Sequence, residues 1–158
     1  MMHYLEPLLI GLFVLIVLSS LVGARRGGEA NVVAKDLMTA REIEFWRMLR
    51  RVADPYHVAP QVAMSALLKA APGMDPKHSL GTRNRFDRKY VDFALVDERG
   101  SVRLLIELDD RTHLTDKDAT RDRMTARAGY TTLRVTGRAA REPGLLASAI
   151  ADKMGLAA

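Results

Sequence analysis

The 158-residue chain contains no cysteine. Disulfide bonds, cysteine nucleophiles and thiolate sites for zinc or iron–sulfur clusters are therefore excluded. Any site chemistry in this chain must use oxygen ligands and imidazole.

Charge is nearly absent from the beginning of the chain. All 24 Lys and Arg residues follow Ala24, and Glu6 is the only acid before it. At about 1.5 Å rise per residue, a helix over the uncharged run 7–24 crosses, with its flanks, a hydrocarbon core of roughly 30 Å. We therefore expect an N-terminal transmembrane helix, with residues 1–26 as a membrane anchor and residues 27–36 as a linker.

A cleaved signal peptide is the alternative for this run, and the small residues around Gly23 keep it open. Such a peptide begins with cations, whereas here Arg25 and Arg26 follow the apolar run. By the positive-inside rule, this pair places the rest of the chain in the cytoplasm. We expect a single-pass protein whose cytoplasmic domain is residues 37–158.

The chain has a formal net charge of +5 at pH 7, carried by the part that follows the apolar run. A basic excess is typical of proteins that bind a polyanion, either nucleic acid or anionic lipid. A net charge of this size also occurs on proteins in which it only increases solubility. Residues 72–89 combine Pro, Gly and several cations, which predicts either a mobile basic loop that contacts nucleic acid or a solvated surface loop. The cations of this stretch are Lys77, Arg83, Arg85, Arg88 and Lys89.

Hydrophobic periodicity predicts an α/β fold. The predicted order is helix, strand, strand, strand, helix, strand, helix, over residues 40–53, 56–62, 89–96, 102–108, 116–128, 130–135 and from 143 onward. The run 102–108 is almost continuously apolar, so its strand should be central and covered on both faces. Thr39 and Glu42 have the spacing of a capping box at the start of the first helix.

Two acids interrupt the predicted buried strands. A lone buried carboxylate is strongly unfavourable, so Asp92 and Glu107 each need a counter-charge, hydrogen-bond donors or a metal. If the two strands pair, both acids reach one ion, and Asp109 lies on the same side as Glu107 because side chains alternate along a strand. Three carboxylates favour Mg²⁺ or Mn²⁺. Structural ion pairs with arginines are the alternative.

His113 closes this acidic stretch. An imidazole at that position is expected to serve as a further ligand or as a proton donor to a leaving oxygen.

The same residues resemble those of a bacterial family, the domain of unknown function 2726. The motifs that carry the resemblance are Val91-Asp92-Phe93, Ile-Glu-Leu-Asp-Asp-Arg-Thr-His at 106–113, Arg121-Asp122, Ala-Gly-Tyr at 128–130 and Leu-Arg-Val at 133–135. The family looks like a branch of the PD-(D/E)XK restriction-endonuclease-like superfamily, near the very-short-patch-repair endonucleases. The resemblance implies a restriction-endonuclease-like αβββαβ core with a mixed sheet, and magnesium-dependent (or manganese-dependent) hydrolysis of DNA. Because the family is bacterial, the membrane expected from the apolar run is the bacterial inner membrane.

The resemblance also implies roles for single residues. Asp92 and Glu107 become the metal-binding acids, and Glu42 matches an acid of the family's first helix, with helix capping as its alternative role. Asp109 stands where the superfamily usually has a lysine.

The missing lysine leaves the general base unassigned. Lys117 or Arg121, from the following helix, is the expected replacement cation. Arg121 and Asp122 have an alternative role, which is to clamp that helix to a strand.

These expectations give one leading hypothesis and two alternatives. The leading hypothesis is a membrane-anchored nuclease-like protein that cuts DNA with a divalent metal. The first alternative is a catalytically silent nucleic-acid-binding or scaffold domain at the membrane, in which the acids form ion pairs. The second is a membrane assembly protein whose basic face meets anionic lipid.

Overall fold

The structure is a computed structural model that describes residues 10, 12–17, 31–109 and 116–156, with only the backbone of 116–119. The chain divides into two units, residues 1–35 and 36–158.

In the first unit, residues 10 and 12–17 are helical. Of the helices that the structure describes, none is long and apolar enough to cross a membrane. Most of the predicted span 7–24 lies outside the described residues.

In the second unit, the described residues confirm the mixed α/β class and the predicted order of the main elements. The elements are α1 (Ala40–Val52), β1 (His57–Ala63), α2 (Met64–Leu67), α3 (Pro76–Arg83), β2 (Tyr90–Val96), β3 (Val102–Leu108), α4 (Asp116–Arg127), β4 (Thr132–Val135), a 3-10 helix (Gly137–Ala140) and α5 (Pro143–Met154). The short helices α2 and α3 and the 3-10 helix are additions to the predicted order.

The strands form a four-stranded mixed sheet in the order β1-β2-β3-β4. The β1–β2 and β2–β3 pairs are antiparallel, and the β3–β4 pair is parallel. As predicted, β3 has a strand on each side. The strand β1 lies at an edge, a position that tolerates Pro60 because an edge strand need not donate every backbone N–H.

Two apolar clusters cover the sheet. The first cluster joins α1 and α5 to the sheet and contains Phe45, Leu49, Phe93, Leu104, Ile106 and Leu146. The second contains Met64, Phe86, Val91, Ala94 and Leu105. Neighbouring residues of β3 thus belong to different clusters, which follows from the alternation of side chains along a strand. Both faces of β3 are buried over residues 104–107, so Glu107 is held in an apolar environment, whereas Arg103 near the start of the strand is exposed.

The predicted capping box at the start of α1 is confirmed. The Thr39 hydroxyl accepts a hydrogen bond from the backbone N–H of Glu42, and Oε2 of Glu42 accepts one from the backbone N–H of Thr39 at 2.6 Å. These two bonds satisfy donors of the first turn that have no partner within the helix.

The prediction of a loop over residues 72–89 is wrong for much of that stretch, because it contains α3. Asp75 caps this helix by accepting hydrogen bonds from the backbone N–H groups of Lys77 and His78, and Pro76 occupies the first turn. An Asp-Pro pair is a signal for a helix start as well as for a turn. Phe86 is buried in the second cluster and ties the following residues to the sheet.

The burial of Phe93 generates a stability prediction. Phe93 is fully buried and packs against the Phe45 ring, with 5.4 Å between the ring centroids. We expect Phe93→Ala to lower the free energy of unfolding by about 3–5 kcal/mol, because it removes a core ring and leaves a cavity. Urea denaturation of the full chain measures this change.

Tyr90 provides the control on the same strand, since it is 52% exposed. Tyr90→Ala should change the free energy of unfolding much less. Equal losses for the two variants would contradict the placement of the core.

Candidate active site

Asp92 and Glu107 lie on the paired strands β2 and β3. In this pairing Phe93 is opposite Ile106, and the next position along the register sets Asp92 against Glu107. Oδ2 of Asp92 accepts a hydrogen bond from the backbone N–H of Leu108 at 2.8 Å. The structure therefore brings the two predicted acids together at the end of β3.

Glu107 is 5% exposed, and its environment disfavours the charged form. Burial is the largest cause that raises the pKa of Glu107 to about 8, and the negative charge of Asp92 raises it further. The positive charges of Arg121 and Arg134 oppose this shift in part.

Asp92 is half-buried, and its pKa is also raised. Burial is again the largest cause, and the hydrogen bond from the Leu108 amide opposes it. The charges of Glu42 and Asp109 raise the pKa of Asp92 further, so both acids lie near it. The site concentrates negative charge at one end of the sheet.

Arg121 is the described cation that contacts this pair directly. Its Nη2 lies 2.8 Å from Oε2 of Glu107, and the two side chains are 20% and 6% exposed. An ion pair as buried as this one is held away from the screening that weakens surface pairs. The structure therefore places a positive charge beside Glu107, and the role of Arg121 as a replacement for the missing lysine stays a prediction.

Two other predicted residues cannot be placed in the site. His113 lies outside the described residues, and so does the side chain of Lys117. Their roles stay predictions.

Arg134 on β4 is a site residue that the sequence reasoning missed. Its Nη2 donates to both carboxylate oxygens of Asp122, at 3.0 and 2.9 Å, and its Nη1 lies 3.4 Å from Oδ2 of Asp109. Together with the Arg121–Glu107 pair, these contacts hold α4 against β3 and β4. This is the clamp that the sequence offered as an alternative role for Arg121 and Asp122.

Glu42 has a second contact besides the capping box. Its Oε1 accepts a hydrogen bond from Nε2 of Gln61 at 2.9 Å. Gln61 has a φ of 50°, in the left-handed region that a non-glycine residue rarely adopts inside a strand. No sequence pattern signals such a backbone at a glutamine. The two roles predicted for Glu42 are compatible, because it caps α1 and its charge also reaches Asp92.

The donor set permits a test of whether a divalent metal fits. In the part of the chain that the structure describes, no group of three or more His, Asp or Glu side chains is arranged to hold a metal ion. Mg²⁺ sites in proteins commonly use only one or two carboxylates, with waters and substrate phosphates as the other ligands. Oδ1 of Asp92 and Oε1 of Glu107 accept no hydrogen bond from the described residues. The pair fits such a two-carboxylate site, whereas Asp109, the predicted third ligand, contacts Arg134.

Of the four cations predicted to bind nucleic acid, Arg83 is the last residue of α3, and the other three lie between α3 and β2. Arg83, Arg85 and Arg88 are exposed, and Lys89 is half-buried. Within the described residues, neither Asp92 nor Glu107 forms a hydrogen bond or an ion pair with any of these four side chains. Their role stays a prediction.

The second unit is thus a mixed α/β domain in which buried Glu107, half-buried Asp92 and Arg121 lie together on one face of its sheet. A family model described as "Protein of unknown function (DUF2726)" matches residues 34–154. The chain belongs to this family, as the sequence motifs predicted. Comparison with curated proteins and with solved structures gave no match.

The raised pKa of Glu107 generates a prediction about pH. Because the folded-state pKa of about 8 exceeds the ordinary value of 4.5, the stability contributed by this carboxyl is present at low pH and is lost as the pH rises through about 8. Glu107→Gln removes the titrating carboxyl and therefore the loss of stability at high pH. We expect the variant to gain about 1 kcal/mol or more over the unsubstituted chain between about pH 5 and about pH 9.

Urea denaturation with a chelator present, at both pH values, measures this difference. Glu98→Gln is the control, since Glu98 is exposed in the turn between β2 and β3. A stability difference between Glu107→Gln and the unsubstituted chain that does not change with pH would contradict the raised pKa.

Proposed function

We propose that residues 36–158 form a restriction-endonuclease-like domain that hydrolyses phosphodiester bonds of DNA with Mg²⁺ or Mn²⁺. The observation that carries the proposal is the Asp92–Glu107 pair, in which burial raises the pKa of both acids and the charge of Asp92 raises the pKa of Glu107 further. Each acid keeps one oxygen without a described hydrogen bond. A buried acid beside a half-buried one, with no other purpose, would lower the stability of the fold. A divalent cation relieves their repulsion.

Each residue of the site has a task in this proposal. A cation held by Asp92 and Glu107 supplies Lewis-acid polarisation of a phosphoryl oxygen and eases ionisation of the attacking water. The Leu108 amide fixes Asp92, and Arg121 fixes Oε2 of Glu107. Arg121 also supplies positive charge near the scissile phosphate, in place of the superfamily's lysine. Glu42 adds negative charge beside Asp92.

A catalytically silent nucleic-acid-binding or scaffold domain is the second candidate. The observation that favours it is the network of ion pairs, in which Arg121 pairs with Glu107 and Arg134 pairs with both Asp122 and Asp109. Such a network stabilises the acids without a metal. Salt-dependent DNA binding without cleavage, and a melting temperature that Mg²⁺ does not raise, are the results that this candidate predicts.

We also propose that residues 7–24 cross the cytoplasmic membrane of a bacterium and hold the domain at its inner surface. The support is the uncharged apolar run followed by Arg25 and Arg26. Addition of a protease to intact spheroplasts tests this topology. The domain should resist digestion until the membrane is permeabilised, and digestion in intact spheroplasts would contradict the proposal.

The nuclease proposal predicts the effect of removing either acid. Full-length chain in detergent should cut DNA in the presence of Mg²⁺ or Mn²⁺, and a chelator should stop the reaction. We expect Asp92→Asn and Glu107→Gln each to lower the cleavage rate about 100-fold or more, because each removes a cation ligand. Rates on duplex DNA, single-stranded DNA and RNA measure the loss and define the substrate.

Glu98→Gln is the matched control and should cut at the unsubstituted rate. Cleavage that persists in the variant with both acids replaced would rule out this pair as the site.

Arg121 gives a separate prediction. We expect Arg121→Ala to lower the cleavage rate, and Arg121→Lys to retain more activity, because lysine keeps the positive charge beside Glu107. The rate of each variant as a function of pH is the measurement. If Arg121 only clamps α4 to the sheet, both variants should lose stability while the pH profile stays unchanged.

A further inference from the structure

A cavity of about 350 Å³ lies between α1 and the start of α5. Three arginines line it, namely Arg41, Arg51 and Arg141. Its apolar wall includes Phe45, Met48 and Leu108. The nucleic-acid-binding residues expected from the sequence lie elsewhere, from the end of α3 to the residue before β2.

The lining of this cavity has an excess of positive charge. Arg51 and Arg141 are exposed, and their side chains form no ion pair or hydrogen bond with any described residue. Glu44 also lines the cavity, but none of the described ion pairs joins it to Arg51 or Arg141 within 4.0 Å. Glu44 is a single acid, whereas Arg51 and Arg141 carry two positive charges without a described partner, so these two arginines favour an anion in the cavity.

The position of Leu108 relates the cavity to the acid pair. Leu108 directly follows Glu107 at the end of β3, and its side chain packs with the first apolar cluster. Because side chains alternate, the cavity and Glu107 lie on opposite faces of the sheet at the same end of β3. Nη2 of Arg41 donates to the backbone oxygen of Asp109 at 3.5 Å, which links the cavity wall to this strand end.

We propose that this arginine-lined cavity binds a phosphate group of a nucleic acid strand that crosses the end of β3 toward Asp92 and Glu107. A guanidinium group binds phosphate through two parallel hydrogen bonds, and the apolar wall limits competition from water. An anionic lipid headgroup carries the same phosphate chemistry. The cavity lies at the same end of β3 as the acid pair, and this position favours nucleic acid. The inference rests on the proposed function and deepens it.

The test compares two double variants of the full chain in detergent. Arg51→Ala with Arg141→Ala removes two charges from the cavity. Arg47→Ala with Arg138→Ala removes two exposed charges from the same helix and the same connection, outside the cavity lining. Fluorescence anisotropy with a labelled oligonucleotide, in the presence of a chelator and at several salt concentrations, gives the dissociation constant of each protein without cleavage.

We expect the dissociation constant of the cavity variant to rise about tenfold or more. The slope of log K against log salt concentration should fall in magnitude by about 1, because one phosphate contact is lost. The control pair should keep the slope. Equal melting temperatures of the two variants would confirm that both are folded.

Unchanged oligonucleotide affinity in the cavity variant, or an equal loss in the control pair, would overturn the proposal. Vesicles of phosphatidylglycerol and phosphatidylcholine provide the lipid arm, and both variants carry the same N-terminal run. Weaker vesicle binding with unchanged oligonucleotide affinity would assign the cavity to a lipid headgroup and overturn the nucleic-acid proposal.

The outcomes of this test distinguish a failure of the cavity proposal from a failure of the nuclease proposal. Oligonucleotide binding that depends on the cavity, by a chain that does not cut, would support the cavity and overturn the nuclease. If the cavity substitutions change neither the cleavage rate nor the oligonucleotide affinity, the cavity proposal alone is overturned. A chain that binds no oligonucleotide would overturn both.

Discussion

The repulsion between the buried carboxylate of Glu107 and the half-buried carboxylate of Asp92 is the interaction on which the rest of the site depends. The β2–β3 pairing sets Asp92 beside Glu107, and burial raises the pKa of both. The surrounding contacts then act on this pair, since Arg121 neutralises one oxygen of Glu107 and the Leu108 amide holds one oxygen of Asp92. The local arrangement favours a ligand that brings positive charge to the remaining oxygens, either protons at low pH or a divalent cation at higher pH.

Much of this arrangement was predictable because it depends on local sequence patterns. The near-continuous apolar run of β3 predicted a central strand, because a strand that is covered on both faces has apolar side chains on both faces. The spacing of Thr39 and Glu42 predicted the capping box. Asp92 and Glu107 stood out because each is a charged residue within an apolar strand. The prediction that these two side chains lie close together followed from the expected pairing of their strands.

The remaining contacts depend on tertiary geometry that local patterns do not encode. Arg134 reaches Asp122 and Asp109 because β4 lies parallel to β3, a pairing between strands separated by α4. Gln61 has a φ of 50°, and its side-chain amide donates to Glu42 across 19 positions of the chain, a contact that the local sequence does not indicate. The cavity beside Leu108 requires α5 to return against α1, so residues from distant parts of the chain line it.

The central claim is that Asp92 and Glu107 together bind a divalent cation. Anomalous X-ray diffraction from crystals of the chain soaked in Mn²⁺ tests it most directly, because the signal locates the metal without reference to activity. We expect a peak bridging Oδ1 of Asp92 and Oε1 of Glu107, and its absence from crystals of Glu107→Gln. Mn²⁺ bound only at other places, with Arg121 still paired to Glu107 and no peak between the two acids, would contradict the account.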